Sequence, residues 1–199
     1  MEKAIRKIFQ SIISEPELKI LLEDELNKYN KSSLEEDSDP LPELNINIAL
    51  SRVLIDQDCR IFLTDYNNAE IDIQGYQAKT IYILHLLSPR GISNSNLNQY
   101  KELMKTIYME ICKHKLGDEY RAENMITGLL ERKSGINDAT NKIRKALQMV
   151  ISDDQIFKYY VISGKRKGKR RILLPKDMVD IDNQALKQIK DTIIEMNIC

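Results

Sequence analysis

The sequence predicts an α+β fold, and three observations carry the prediction. Apolar residues alternate between about Leu44 and Ile73, as on half-buried strands. They recur at helical spacing over most of the remaining chain. Late in the chain, a glycine-bounded cluster of Lys and Arg separates two short β-like runs.

The elements follow in order. Ile5, Ile8, Phe9, Ile12 and Ile13 mark a first helix, which Ser14-Glu15-Pro16-Glu17 stops and restarts. Leu18, Leu21, Leu22, Leu26 and Tyr29 continue the stripe, and the Ser-, Asp- and Glu-rich stretch from Asn30 to Glu43, with Pro40 and Pro42, reads as a linker. Leu44 to Leu50 alternates, although 44–55 also fits a helix; Cys59 to Leu63 and Ile71 to Ile73 complete a small antiparallel sheet with a hairpin at Asn67-Asn68. Ala78 to Leu87 is apolar almost all round, the pattern of a buried helix, and Pro89 and Gly91 end it. Helices then follow over Asn96–Lys113, Tyr120–Lys133 and Asn137–Val150. Tyr159 to Ile162 and Arg171 to Leu174 read as the arms of a β-hairpin with Ser163 to Arg170 at its tip. A last amphipathic helix, Asn183–Met196, turns Leu186, Ile189 and Ile193 inward. The predicted organisation is an N-terminal helical extension with an acidic linker (1–43), a central domain (44–176) and a C-terminal helix packing on it (177–199).

Small sheet, buried helix, two further helices, a polar-faced basic helix and a basic hairpin is the plan of a winged helix with one helix inserted. The residues also resemble a known family, the C-terminal DNA-binding domains of OmpR/PhoB-type response regulators. Arg60-Ile61-Phe62-Leu63-Thr64 to Ile71-Asp72-Ile73 resembles their opening sheet. Ile83-Leu84-His85-Leu86-Leu87-Ser88-Pro89-Arg90-Gly91 is similar to their leucine-rich helix ending in Pro-x-Gly, and Ile143-Arg144-Lys145-Ala146-Leu147 to a string in their recognition helix. Gly164 to Ile172 resembles the wing loosely, with one extra residue and no aromatic. The resemblance covers roughly residues 58–175. It departs from the family in the longer stretch 97–134 and in having no receiver domain, so phosphorelay control is not implied. The wider sequence is similar to a group of uncharacterised bacterial proteins.

Charge bears on the partner. The chain carries 30 Lys+Arg and 30 Asp+Glu, a formal net charge of zero. The zero is a cancellation: residues 1–50 hold 6 cations and 11 acids, whereas residues 135–176 hold 11 cations and 3 acids. A basic block between acidic flanks predicts a polyanion partner. Asn137 and Asn141 suit adenine edges, Arg144 suits guanine or a phosphate, and Lys142 and Lys145 suit phosphates. Lys165, Arg166, Lys167, Lys169, Arg170 and Arg171 would line the backbone or enter a narrow minor groove. The bland alternatives are a solvated turn and an ordinary exposed helix face.

Other groups carry less. His85 reads as a satisfied core histidine and His114 as a helix-end cap. Cys112 and His114 have no second pair for a metal, and Asp56-x-Asp58 and Asp180-x-Asp182 read as turn carboxylates. No GxSxG, P-loop, HExxH or GxGxxG motif is present, so the expectation is a non-enzyme without cofactor or metal. Three widely spaced cysteines, no apolar run of membrane length and no apolar leader core predict a soluble cytoplasmic protein. The functional expectation is a transcriptional regulator reading duplex DNA with helix 137–150 and wing 163–172. The alternative is a protein-interaction module on the same scaffold, its basic wing meeting an acidic protein partner; a DNA-processing enzyme is a third reading. The stripes at 5–29 and 183–196 fit packing helices and a homodimer surface alike.

Overall fold

Alternation of apolar side chains builds the sheet that opens the fold. In a computed structural model, which describes residues 49–88, 90–113, 119–132, 134–164 and 168–196, β1 (Val53–Ile55) and β2 (Ile61–Leu63) pair antiparallel with Val53 opposite Leu63 and Ile55 opposite Ile61. Those four residues are buried, while Leu54 and Phe62 on the other face are half-exposed, as a period of two requires. Asp56 shapes the connecting turn: its carboxylate accepts the Asp58 and Arg60 N–H groups at 2.9 and 2.8 Å. β3 (Ala69–Glu70) returns antiparallel to β2 through the expected Asn67-Asn68 hairpin. Both asparagines take positive φ (53° and 52°), a region in which Asn is several-fold enriched.

The sheet gains a fourth strand that the sequence reading lacks. β6 (Val179–Ile181) lies parallel to β1, giving the order β3-β2-β1-β6 and a mixed sheet rather than a purely antiparallel one. Asp180 is therefore a strand residue and not a turn carboxylate. Arg52 holds it bidentately, Nε to Oδ2 and Nη2 to Oδ1, each at 2.8 Å.

Six α-helices are present among the described residues. α1 (Tyr76–Leu87) is buried nearly all round, as its composition predicts. Gly91, at φ 72°, then lets the chain pass beside Arg170, whose carbonyl would stand 2.7 Å from any Cβ there. The strand β4 (Ile92–Ser93) follows. The helix expected from Asn96 instead begins as a 3₁₀ turn over Asn94–Tyr100, and α2 runs Lys101–Cys112. Local side-chain bonds, Ser93 to Ser95 at 2.7 Å and Ser95 to Asn96 at 3.1 Å, compete with the α ladder there. α3 (Glu119–Glu131) and α4 (Gly135–Val150) match the expected helices.

The predicted strand at 159–162 is corrected. Tyr159 and Tyr160 form the last turn of α5 (Asp154–Tyr160), which Asp153 starts by accepting the Gln155 and Ile156 N–H groups. Aromatic and β-branched composition favours a strand locally, but the cap and the burial of Phe157, Tyr159 and Tyr160 prevail. Ser163 alone bridges Arg171, with paired backbone bonds of 2.9 and 2.8 Å. The returning arm is displaced into the predicted tip: β5 (Lys169–Arg170) pairs antiparallel with β4, and of the expected run 171–174 only Arg171 bridges, so β5 lies between β4 and the Ser163 segment. α6 (Gln184–Met196) closes the described chain, with the Asn183 side chain accepting the Leu186 N–H at 3.0 Å. The expected N-terminal helices and linker, the alternating residues 44–48, Pro89, His114, Lys133 and Cys199 lie outside the described residues.

Four of the largest fully buried side chains are tyrosines. The Tyr160 hydroxyl accepts the Ser51 N–H and donates to the Ser51 carbonyl, both at 2.7 Å, while the Tyr82 hydroxyl donates to the Tyr160 carbonyl at 3.1 Å. Tyr160→Phe leaves two buried backbone groups unpaired and is expected to cost about 2–4 kcal/mol in urea unfolding; Tyr82→Phe is expected to cost about 1 kcal/mol.

Candidate nucleic-acid interface

α4 divides cleanly between core and solvent. Gly135, Ala139, Ile143, Ala146 and Leu147 are buried, three of them small enough to bring the helix close to its neighbours. Gly135 permits the tightest approach: an added Cβ would stand 2.3 Å from the Leu129 carbonyl of α3. The α3–α4 connection is thus only Arg132 to Ser134. Asn137, Asn141, Lys142, Arg144, Lys145 and Gln148 are all exposed. Asn137, Asn141, Arg144 and Gln148 recur at intervals of three and four, hence on one face. Lys142 and Lys145 lie on its flank, toward the first turn of α1, where the Lys142 ammonium stands beside Gly75.

The charges of α4 and of α2 are handled differently. On α2, Lys101 meets Glu123 of α3 at 2.5 Å, and Lys105 meets Glu102 and Glu123 at 2.7 and 2.9 Å. These bonds hold the Glu123 carboxyl down at about 2 and push the Lys105 ammonium well above its ordinary range. On α4, none of Lys142, Arg144 and Lys145 has an ion pair with a described residue. The one acid of the helix, Asp138, accepts the Ser134 hydroxyl at 2.9 Å. Arg144 lies with its guanidinium carbon 5.8 Å from the Phe157 ring centroid, which restricts its swing without neutralising it.

The second group of expected residues sits on the other sheet. Lys169 and Arg170 form β5, and Arg171 bridges Ser163. Lys169 is exposed, and Arg170 and Arg171 are half-exposed. Gly164, at φ 146°, is needed where the hairpin leaves Ser163, because a Cβ there would meet the Lys169 carbonyl at 2.3 Å. Lys165, Arg166 and Lys167 lie outside the described residues. The helix and sheet groups occupy different elements.

Sequence reasoning missed Arg132, Gln77 and Met125, which line a cleft of about 590 Å³ beside Lys142 and Lys145. Only the position of Arg132 in a short inter-helix turn offered a signal.

His85 is buried as expected but only partly satisfied, since its Nδ1 has no hydrogen-bond partner. Burial pushes the imidazole down to about 4; the Arg170 charge acts the same way, and a hydrogen bond to the Arg170 backbone opposes both. Burial likewise pushes the Cys59 thiol up to about 11, so it is no activated nucleophile. Among the described residues, no group of three or more His, Cys, Asp or Glu could hold a metal ion, and no helix is long and apolar enough to cross a membrane. Comparison with protein-family models, curated proteins and solved structures gives no match.

Two acid-sensitive contributions to stability are expected in successive pH windows that overlap only near pH 4. Unfolded His85 takes its proton near 6.5 and the folded imidazole near 4, so stability falls as pH drops across that window. The loss from this group is up to about 3 kcal/mol, and His85→Leu is expected to flatten the profile there in urea titrations at stepped pH. Glu123 stabilises above its unfolded value of 4.5, and this contribution is lost as pH falls toward about 2; Glu123→Gln removes it without altering the higher window.

Proposed function

We propose that the chain is a winged-helix protein that binds duplex DNA, as a transcriptional regulator does, with α4 in the major groove and the 163–172 hairpin as the wing. The observation that carries this reading is the exposed face of α4, where amides and cations stand without carboxylate partners among the described residues. A helix fits the major groove, and polar residues near its N-terminus reach base edges. Asn137 and Asn141 suit the paired donor and acceptor of adenine, and Arg144, held near Phe157, suits guanine or a phosphate. Lys142, Lys145, Lys169, Arg170 and Arg171 supply backbone contacts.

The order of elements supports the same reading. α1, β4, α3 and α4 follow one another as in a winged helix, with α2 between β4 and α3 as the inserted helix, whereas α5, between α4 and β5, departs from that plan. β5 lying between β4 and the Ser163 segment matches the strand order of such a wing. In the alternative reading, an acidic protein takes the place of DNA on the same cations. One observation favours it: Met149 at the end of α4 is 86% exposed, an apolar contact that phosphates do not use.

Fluorescence anisotropy with labelled duplexes separates the two. Binding at about 50 mM salt is expected, with a log–log salt slope of roughly −5 to −6 for five to seven phosphate contacts. Arg170→Ala is expected to weaken all sequences alike. Asn141→Ala or Arg144→Ala is expected to cost about 1–3 kcal/mol at one or two base positions of a selected site. No retention of any duplex at that salt overturns the proposal, and unchanged base preference in both α4 variants removes α4 as the reader.

A further inference from the structure

We infer that the cleft between the first turn of α1, α3 and α4 is a binding site for a nucleoside di- or triphosphate. The cleft has a volume of about 590 Å³, within the range of small-molecule sites. Its lining is mixed in chemistry. Lys142, Lys145 and Arg132 line it, and none of the three has an ion pair with a described residue. Arg132 is instead held by neutral groups: its Nε donates to the Gly128 carbonyl at 2.9 Å and its Nη2 to Gln77 Oε1 at 3.3 Å. Met125, 37% exposed for a large apolar residue, and the half-buried Tyr76, whose ring meets Tyr108 edge-on at 6.2 Å, line it as well.

Cations that line one cleft without a carboxylate partner among the described residues repel one another until an anion joins them. Lys142 sharpens this, because its Nζ stands where a Cβ at Gly75 would be only 3.4 Å away. It therefore abuts the start of α1, whose first turn contains no acidic residue and no side-chain cap. The single acid lining the cleft, Asp138, is turned to the Ser134 hydroxyl. Three positive groups fit two or three phosphoryl groups as charge-assisted donors. The adjoining thioether and aromatic ring fit a flat base, which an inorganic anion lacks. A nucleoside di- or triphosphate carries both groups.

This inference stands on the cleft and does not rest on DNA binding. If both hold, they are coupled: Lys142 and Lys145 belong to the cleft and to the flank of α4, so a bound nucleotide removes two phosphate contacts from the DNA surface. The bound nucleotide is then an anti-binding effector.

Isothermal titration of the full chain with ATP, GTP, CTP and UTP, without DNA, tests the site directly. At least one is expected to bind saturably below about 1 mM, the ordinary range for such ligands. The double variant Lys142→Gln/Lys145→Gln, checked for unchanged thermal unfolding, is expected to weaken that binding by at least about tenfold. Met125→Ala is expected to weaken the nucleotide by about threefold while leaving inorganic tripolyphosphate unaffected. No saturable binding of any of the four, undiminished binding by the double lysine variant, or tripolyphosphate binding as tightly as the best nucleotide overturns the assignment. A duplex oligonucleotide titrated in parallel separates the sources of phosphate. If duplex binds through Lys142 and Lys145 and no mononucleotide does, the cations serve the DNA backbone, and this inference fails while the DNA reading survives.

Discussion

Tyr160 stands fully buried at the end of α5, and its hydroxyl takes the place of a strand neighbour for Ser51. One phenol oxygen accepts the Ser51 N–H and returns a proton to the Ser51 carbonyl, so both backbone groups are satisfied where no strand reaches them. Ser51 leads into β1, the inner strand on which β2 and β6 both pair. From the same residue, the Tyr160 carbonyl accepts the Tyr82 hydroxyl of α1. α1 in turn is the helix on which α2 and α4 chiefly pack. The sheet and the helical layer are therefore registered through two tyrosines. The orientation of α4 depends on that registration as much as on its own apolar stripe.

The electrostatics follow from where carboxylates are placed. On the inserted helix α2, Lys101 and Lys105 share Glu123 across the α2–α3 contact, and the charges there are consumed within the fold. Arg52 is likewise matched by Asp180. On α4 the one acid, Asp138, is turned to Ser134, and the cations have no carboxylate partner among the described residues. A net charge of zero over the chain thus coexists with a local excess on α4 that no described residue neutralises by an ion pair.

The helices were legible because their stripes are long: Leu186, Ile189 and Ile193, or Ile143 and Leu147, leave little choice of period. The hairpin at Asn67-Asn68 was legible because left-handed turns leave a chemical signature. β6 was not, since three residues centred on an aspartate carry no alternation, and its partner lies more than a hundred residues away. α5 was misread because Tyr159-Tyr160-Val161-Ile162 has strand composition, whereas Asp153 and the buried aromatic face decide for a helix. The candidate residues of α4 were readable, since exposure follows from the stripe. The cleft was not, because Gly75, Met125, Arg132 and Lys142 come from separate elements and only packing brings them together.

The parallel pairing of β6 with β1 has a consequence for how the molecule comes into being. β1, β2 and β3 are local and can pair as soon as they leave the ribosome, but β1 then presents an open edge. That edge waits until residues 179–181 arrive, after α1 to α5 have been made. At 5–20 residues per second the wait is about 6–25 seconds. During synthesis, the helical layer therefore has to assemble beside an incomplete sheet, and the Arg52–Asp180 pair closes the seam last.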